Sequence, residues 1–181
     1  MLRNSQKELL SILLNPDNDT CQQLLVSGPS GCGKTHWCLQ LVEEARPMNL
    51  SVAGLVSPPV FKDGVKWGID LLDLRSGSQR RLALKYENEE TGLSTRAWKL
   101  DPEVVRWGNE VLQSIDACQL LIVDELGPYE FEHGEGLTSG FSLIDSCCYQ
   151  LACIVIRPSL LAKALMRWPQ ANILELEREN A

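Results

Sequence analysis

The chain has 181 residues, 44% hydrophobic and 23% charged, with 17 Lys and Arg against 24 Asp and Glu, a net charge of −7. That length suits one domain with a sizeable core, and that composition excludes a disordered chain. The acidic balance repels a polyanionic backbone and argues against nucleic acid as the main partner.

In chain order, Leu9-Leu10-Ser11-Ile12-Leu13-Leu14 comes first. It follows Lys7-Glu8, is short, and leads to no small-residue cleavage site, so it does not read as a secretory signal. No run approaches about 18 apolar residues, so nothing here spans a membrane as a helix. The stretch predicts a short amphipathic helix stopped by Asn15-Pro16-Asp17-Asn18, laid against the core or against a protein partner. Residues 1–20 are therefore expected to form a helical extension, and residues 21–181 a single domain.

The apolar run Leu24-Leu25-Val26 predicts the first strand. It leads into Gly28-Pro29-Ser30-Gly31-Cys32-Gly33-Lys34-Thr35, a complete GxxxxGK[ST] pattern. Glycines at those positions let successive backbone N–H groups curl around phosphates, and the helix beginning near Lys34 aims its positive end at them. Lys34 adds a point charge for the β and γ oxygens, and the Thr35 hydroxyl is placed to ligate Mg²⁺. The expected binding set for ATP or another nucleoside triphosphate is Gly28 through Thr35 together with His36, which continues into the helix. That helix should bury Leu41, Val42 and Ala45 and end at Arg46-Pro47.

Ser51–Ser57 reads as a second strand closed by Pro58-Pro59. Asp63-Gly64 is a hairpin turn signal, Trp67–Leu74 returns as a strand, Ser76-Gly77 turns again, and Arg81–Leu84 is a further short strand. This predicts an antiparallel insertion on a parallel sheet. Lys62, Lys66, Arg75, Arg80, Arg81 and Lys85 against Asp63, Asp70 and Asp73 make it a locally basic surface. The polar interval from Tyr86 to Thr95 is expected to be a loop.

Asp101 as N-cap, Pro102 at the first position and Glu103 in the first turn open a helix with Val104, Trp107, Val111, Leu112 and Ile115 on one face. Gln119-Leu120-Leu121-Ile122-Val123-Asp124 follows as a strand buried on both faces. An Asp ending such a strand, downstream of a phosphate loop, is the expected Mg²⁺ partner of Thr35. Glu125, next to it, is the candidate base that orients and deprotonates an attacking water. Glu130 is either a supporting partner or an exposed carboxylate. Arg96, after the polar interval, and Arg157, after the apolar strand Leu151–Ile156, are the candidate cations for charge developing on the γ-phosphate. The five tryptophans read as core or edge packing rather than base stackers.

Seven cysteines form no CxxC pair and are odd in number, which points to reduced thiols and a cytoplasmic protein. Neither His36 nor His133 stands at zinc-ligand spacing from a cysteine pair. Cys32 reads as a small residue tolerated within the loop.

The phosphate loop, the segment Val52–Pro59 with Gly64, Gly68-Ile69-Asp70 and Ser76-Gly77, and above all Val123-Asp124-Glu125-Leu126-Gly127-Pro128-Tyr129-Glu130 together resemble the small P-loop nucleoside-triphosphatase family of thermophile type. The resemblance runs from about Gln23 to Asn180, and its distinctive mark, Asp-Glu-(Ile/Leu)-Gly-x-x-Glu, is matched by Asp124, Glu125, Leu126, Gly127 and Glu130. It implies a three-layer α/β RecA-like fold with a mostly parallel central sheet. It also implies slow Mg²⁺-dependent hydrolysis of nucleoside triphosphates with loose base selectivity. Residues before Gln23 depart from the family, and Ser94–Trp98 matches it loosely. Two other readings stand beside hydrolysis: a kinase for a nucleotide or other small molecule with its acceptor on the Lys62–Lys85 surface, and a nucleotide-gated binding module.

Overall fold

A computed structural model describes residues 6, 9–11, 21–87 and 96–178, apart from the side chains of residues 86, 87, 96, 97 and 125. The rest of the expected N-terminal helix and the interval 88–95 lie outside the described residues.

The chain runs β1 (Gln22–Ser27), α1 (Lys34–Ala45), β2 (Val52–Val56), β3 (Pro59–Lys62), β4 (Val65–Asp73), β5 (Gln79–Glu87), β6 (Arg96–Leu100), α2 (Pro102–Gln113), β7 (Cys118–Leu126), α3 (Ser139–Asp145), β8 (Tyr149–Ile156), α4 (Leu161–Arg167) and β9 (Asn172–Glu175). One sheet has the order β6-β5-β4-β2-β7-β8-β1-β9, with β3 pairing β4. The strands β2, β7, β8, β1 and β9 pair in parallel. The insertion, β3 to β6, is antiparallel throughout.

Continuous apolar runs form the central strands because both faces are covered. On one face Leu25, Leu121 and Val123 join Leu112 of α2, Ile144 of α3 and Ala164 of α4. On the other, Leu24, Val26, Leu120 and Ile122 pack with Trp37, Cys38 and Leu41 of α1. Alternate residues of one strand thus enter opposite layers, giving three layers. Helix α1 buries Leu41, Val42 and Ala45 as expected, and also Trp37 and Cys38. The described N-terminal residues join that layer: Leu10 is fully buried with α1, and Gln6 Nε2 donates to the Trp37 carbonyl at 3.0 Å.

Local signals held where a side chain serves its own backbone. Asp101 accepts from the N–H groups of Glu103 and Val104 at 2.9 and 3.4 Å and starts α2. Asp63 and Gly64 both take positive φ, 50° and 74°, as a two-residue hairpin turn requires. Asp73 accepts from Arg75 N–H and Ser76 Oγ at 2.9 and 2.6 Å, forming the next turn. The insertion is larger than expected. β5 extends through Tyr86 and Glu87, and β6 pairs with it from Arg96, because the ladder partners of these polar residues lie across the hairpin.

The expectation that every thiol is reduced is corrected. Cys21 and Cys147 are disulfide-bonded, with Cα atoms 5.6 Å apart and 126 residues between them in sequence, a spacing that fits a disulfide. Parallel pairing of β1 with β8 brings the start of one beside the turn that enters the other. The remaining five cysteines are free.

Candidate active site

The site forms at the C-terminal edge of the parallel strands. Ser27 at the end of β1 pairs with Ile156 at the end of β8, which pairs in turn with Leu126 on β7. The segments leaving β1, β7 and β8 therefore emerge side by side, the crevice in which open α/β sheets hold their ligands. The phosphate loop leaves β1 and passes into α1, whose N-cap Gly33 has φ 94°. Lys34 Nζ crosses the loop and donates to the carbonyls of Gly28 and Pro29 at 2.8 and 2.9 Å. Thr35 is partly exposed and His36 exposed in the first turn of α1.

Asp124 lies on β7 and is 2% exposed. Its Oδ2 accepts from Ser57 N–H at 3.1 Å, and its backbone carbonyl accepts from Ser57 Oγ. These bonds tie the end of β2 to the strand that carries the carboxylate. Burial pushes the Cys38 thiol up, and the nearby Asp124 carboxylate pushes it further. Cys38 is three residues after Thr35, hence on the same face of α1.

β7 does not end at Asp124 as expected but runs through Glu125 to Leu126, with a register irregularity against β8 between Val123 and Leu126. Glu125 follows in the strand; its side chain lies outside the described residues. Beyond it the chain makes a π-helical turn over Tyr129–His133. Glu130 is built into this turn: its two carboxylate oxygens accept from Gly127 N–H at 2.7 Å and Leu137 N–H at 2.8 Å. A Cβ on Gly136, where φ is 81°, would stand 2.0 Å from Glu130 Oε1. Of the two readings of Glu130, the supporting one describes it: its carboxylate fixes the path by which β7 leaves the site.

Arg157 directly follows β8, the strand between β1 and β7. Arg96 begins β6, four strands from β7, or about 19 Å at the usual strand spacing; its side chain lies outside the described residues. The tryptophans pack as expected. Trp37 and Trp168 are buried, while Trp67, Trp98 and Trp107 carry Arg81 or Lys62, Lys66 and Arg80 over their rings.

A cavity of about 470 Å³ adjoins the loop. Its walls are Gly31–Gly33, the α1 residues His36, Trp37 and Gln40, and the segment Leu176–Arg178 that follows β9. Sequence reasoning missed this last wall and, with it, Arg178, whose Nη2 donates to the Ser30 carbonyl at 3.0 Å. No local pattern marks a residue 148 positions from its partner.

Mg²⁺ fits the residues present. It prefers hard oxygen donors and is held by one or two carboxylates together with substrate phosphates. The buried Asp124 carboxylate and the Thr35 hydroxyl are donors of that kind. Thr35 and Asp124 are the residues that would hold the ion.

Comparison with known proteins gives the same fold. A sequence model of the family described as NTPase matches residues 23–181. The nucleoside-triphosphatase THEP1 of Archaeoglobus fulgidus is 34% identical over 111 residues, 61% of this chain and 63% of that protein. The protein of the same name from Caldivirga maquilingensis is 27% identical over 112 residues, 62% of each chain. The chain thus covers less than two thirds of these relatives' length. Among solved structures, a human cancer-related nucleoside triphosphatase superposes with a TM-score of 0.66 at 18% identity, covering 88% of this chain and 91% of the other. THEP1 from the hyperthermophile Aquifex aeolicus gives 0.60 at 16% identity, covering 88% and 92%. The architecture is that of the P-loop NTPases, with an antiparallel insertion added to a mostly parallel sheet.

Proposed function

Because the chain belongs to this NTPase family, we propose that it hydrolyses nucleoside triphosphates to diphosphates and phosphate, dependent on Mg²⁺ and with broad base selectivity. One observation carries the reading. The phosphate loop and the buried Asp124 leave the same edge of the sheet, on strands separated only by β8.

In this reading the backbone N–H groups from Gly28 to His36, all but Pro29, cradle the phosphates, and Lys34 places its charge at the β and γ oxygens. Mg²⁺, when bound, neutralises phosphate charge at Thr35 and Asp124. Glu125 takes a proton from water as the oxygen attacks the γ-phosphorus; the bond to the β-phosphate oxygen breaks, and the diphosphate leaves. Arg157, beside the site, is the cation assigned to charge developing on the transferred group, in preference to Arg96. We take residues 21–181 as one catalytic domain and residues 1–20 as an N-terminal helical extension, of which Gln6 and Leu10 meet α1. We place the protein in the cytoplasm.

The test incubates the full chain with Mg²⁺ and each of ATP, GTP, CTP and UTP, with and without nucleoside monophosphates, following free phosphate and phosphorylated acceptor together. Phosphate release from all four without an acceptor is the expected result. Turnover only when an acceptor is supplied would replace hydrolysis with a kinase, and tight binding without turnover would leave a nucleotide-gated module.

A further inference from the structure

Glu125 stands at a break in the sheet. Val123 pairs with Ile154 and Leu126 with Ile156, so Asp124 and Glu125 of β7 together oppose the single Val155 of β8. Such a β-bulge disrupts the ladder locally and re-aims the side chains it carries. On the other side of β7, the ladder with β2 runs from Val52 and Leu120 to Leu55 and Val123. The peptide joining Asp124 to Glu125 thus lies beyond the β2 ladder and within the bulge against β8.

Ser57 reaches that peptide from the end of β2. Its N–H donates to Asp124 Oδ2 at 3.1 Å, and its hydroxyl donates to the Asp124 carbonyl. The carbonyl belongs to a planar unit that also contains the Cα of Glu125. One residue therefore grips both the Asp124 carboxylate and the peptide from which Glu125 continues. Ser57 is itself preset. Pro58 follows it and confines it to extended backbone, and the Pro58 carbonyl accepts from Asp70 N–H at 3.0 Å, tying the segment to β4.

We propose that Ser57 is a positioning residue for hydrolysis, its hydroxyl setting the Asp124–Glu125 peptide and, through it, the base. The proposal rests on the reading of Glu125 as the group that takes the proton from water. Ala at this position keeps the N–H bond to the Asp124 carboxylate and loses the bond to the carbonyl. Thr keeps both, and Val has the shape of Thr without its hydroxyl. The phosphates are assigned to the loop after β1, two strands from β7, so the effect falls on kcat rather than on triphosphate affinity.

The test follows phosphate release, calorimetric ATP affinity and backbone hydrogen exchange on the full chain with Mg²⁺. Ser57→Ala and Ser57→Val should each lower kcat by about tenfold to 10²-fold, the scale of a displacement of about an ångström. ATP affinity should change by less than about twofold, and Ser57→Thr should return kcat to within about threefold of the parent. In a Glu125→Gln background, Ser57→Ala should cost less than about twofold more, because the group it positions is gone. Amide exchange over Asp124–Leu126 should quicken by about tenfold or more in the Ala and Val variants, with Leu120–Ile122 unchanged. Parent kcat in Ser57→Ala and Ser57→Val would overturn the proposal. So would a Thr variant as slow as Ala, a full loss repeated in the Glu125→Gln background, or unchanged exchange over Asp124–Leu126. Failure of the base reading has a different signature: Glu125→Gln alone would release phosphate at the parent rate, which would overturn both, whereas the other results overturn this proposal alone.

Discussion

The parallel half of the sheet and its antiparallel insertion are one hydrogen-bonded surface held by opposite means. Strands β1, β7 and β8 are buried between helix layers, and their residues carry the loop and Asp124. The insertion leaves Phe61 and Val65 more than half exposed, and Trp67 and Leu84 about two fifths. Its tryptophans are instead covered by cations, and buried Asp70 is satisfied by Arg81 and Gln79. The contrast teaches where chemistry can be positioned. A buried strand end fixes a carboxylate to a fraction of an ångström, while an exposed sheet held by surface pairs of modest energy offers a face rather than a geometry.

The largest effects should come from the parallel half. Glu125→Gln should lower kcat by about 10²- to 10⁴-fold while keeping triphosphate affinity; parent-rate phosphate release would remove Glu125 as the base. Lys34→Ala should weaken turnover and triphosphate binding together by about 10²-fold or more, read by calorimetry alongside phosphate release.

Next in size is the turn that follows β7. Glu130→Ala strips the acceptors from two backbone N–H groups, at about 1–3 kcal/mol for each one left buried. A lowered Tm together with a lowered kcat is expected. A Gly136→Ala variant, strained by positive φ and by crowding Glu130, should lose a comparable amount, on the order of 1–3 kcal/mol.

A smaller, pH-dependent effect also separates the halves. Burial pushes the Cys118 thiol up to about 12, and burial raises Cys38 and Cys153 in the same direction. The unfolded chain releases these protons near pH ~8.5, so the folded state holds more protons above that pH. The stabilisation is complete below the unfolded value and declines as pH rises toward the folded one, by at most about 1.4 kcal/mol per pH unit for each thiol. Melting temperature should fall from about pH 8.5 upward, and less steeply in Cys118→Ala. The insertion contains no cysteine and adds nothing to this slope.

The smallest effect belongs to the exposed face. Trp67→Ala, which removes the ring between Lys62 and Arg81, should cost about 0.5–1 kcal/mol with triphosphate turnover retained. A loss of turnover matching that of Lys34→Ala would erase the distinction between the two halves.

Much of the chain was legible wherever its signals are local. The loop's glycines, the Asp101-Pro102 helix start, the Asp63-Gly64 turn and the apolar run ending at Asp124 each state their structure within a few residues. What escaped depends on partners distant in sequence. β6 has its partner across a hairpin. Strand β9 is four residues long, largely exposed, and is defined by its place beside β1. Glu130 is explained only by the amides of Gly127 and Leu137, and Arg178 only by the Ser30 carbonyl. Cys21 and Cys147 gave no spacing signal because topology, not sequence distance, brings them together.

That bond has a covalent consequence. Joining Cys21 to Cys147 closes a ring of polypeptide that contains the phosphate loop, the whole insertion and Asp124. A protease that clips the backbone anywhere within the ring opens it but separates nothing. Fragments of such a digest should stay together on a non-reducing gel and part when a thiol reductant is added.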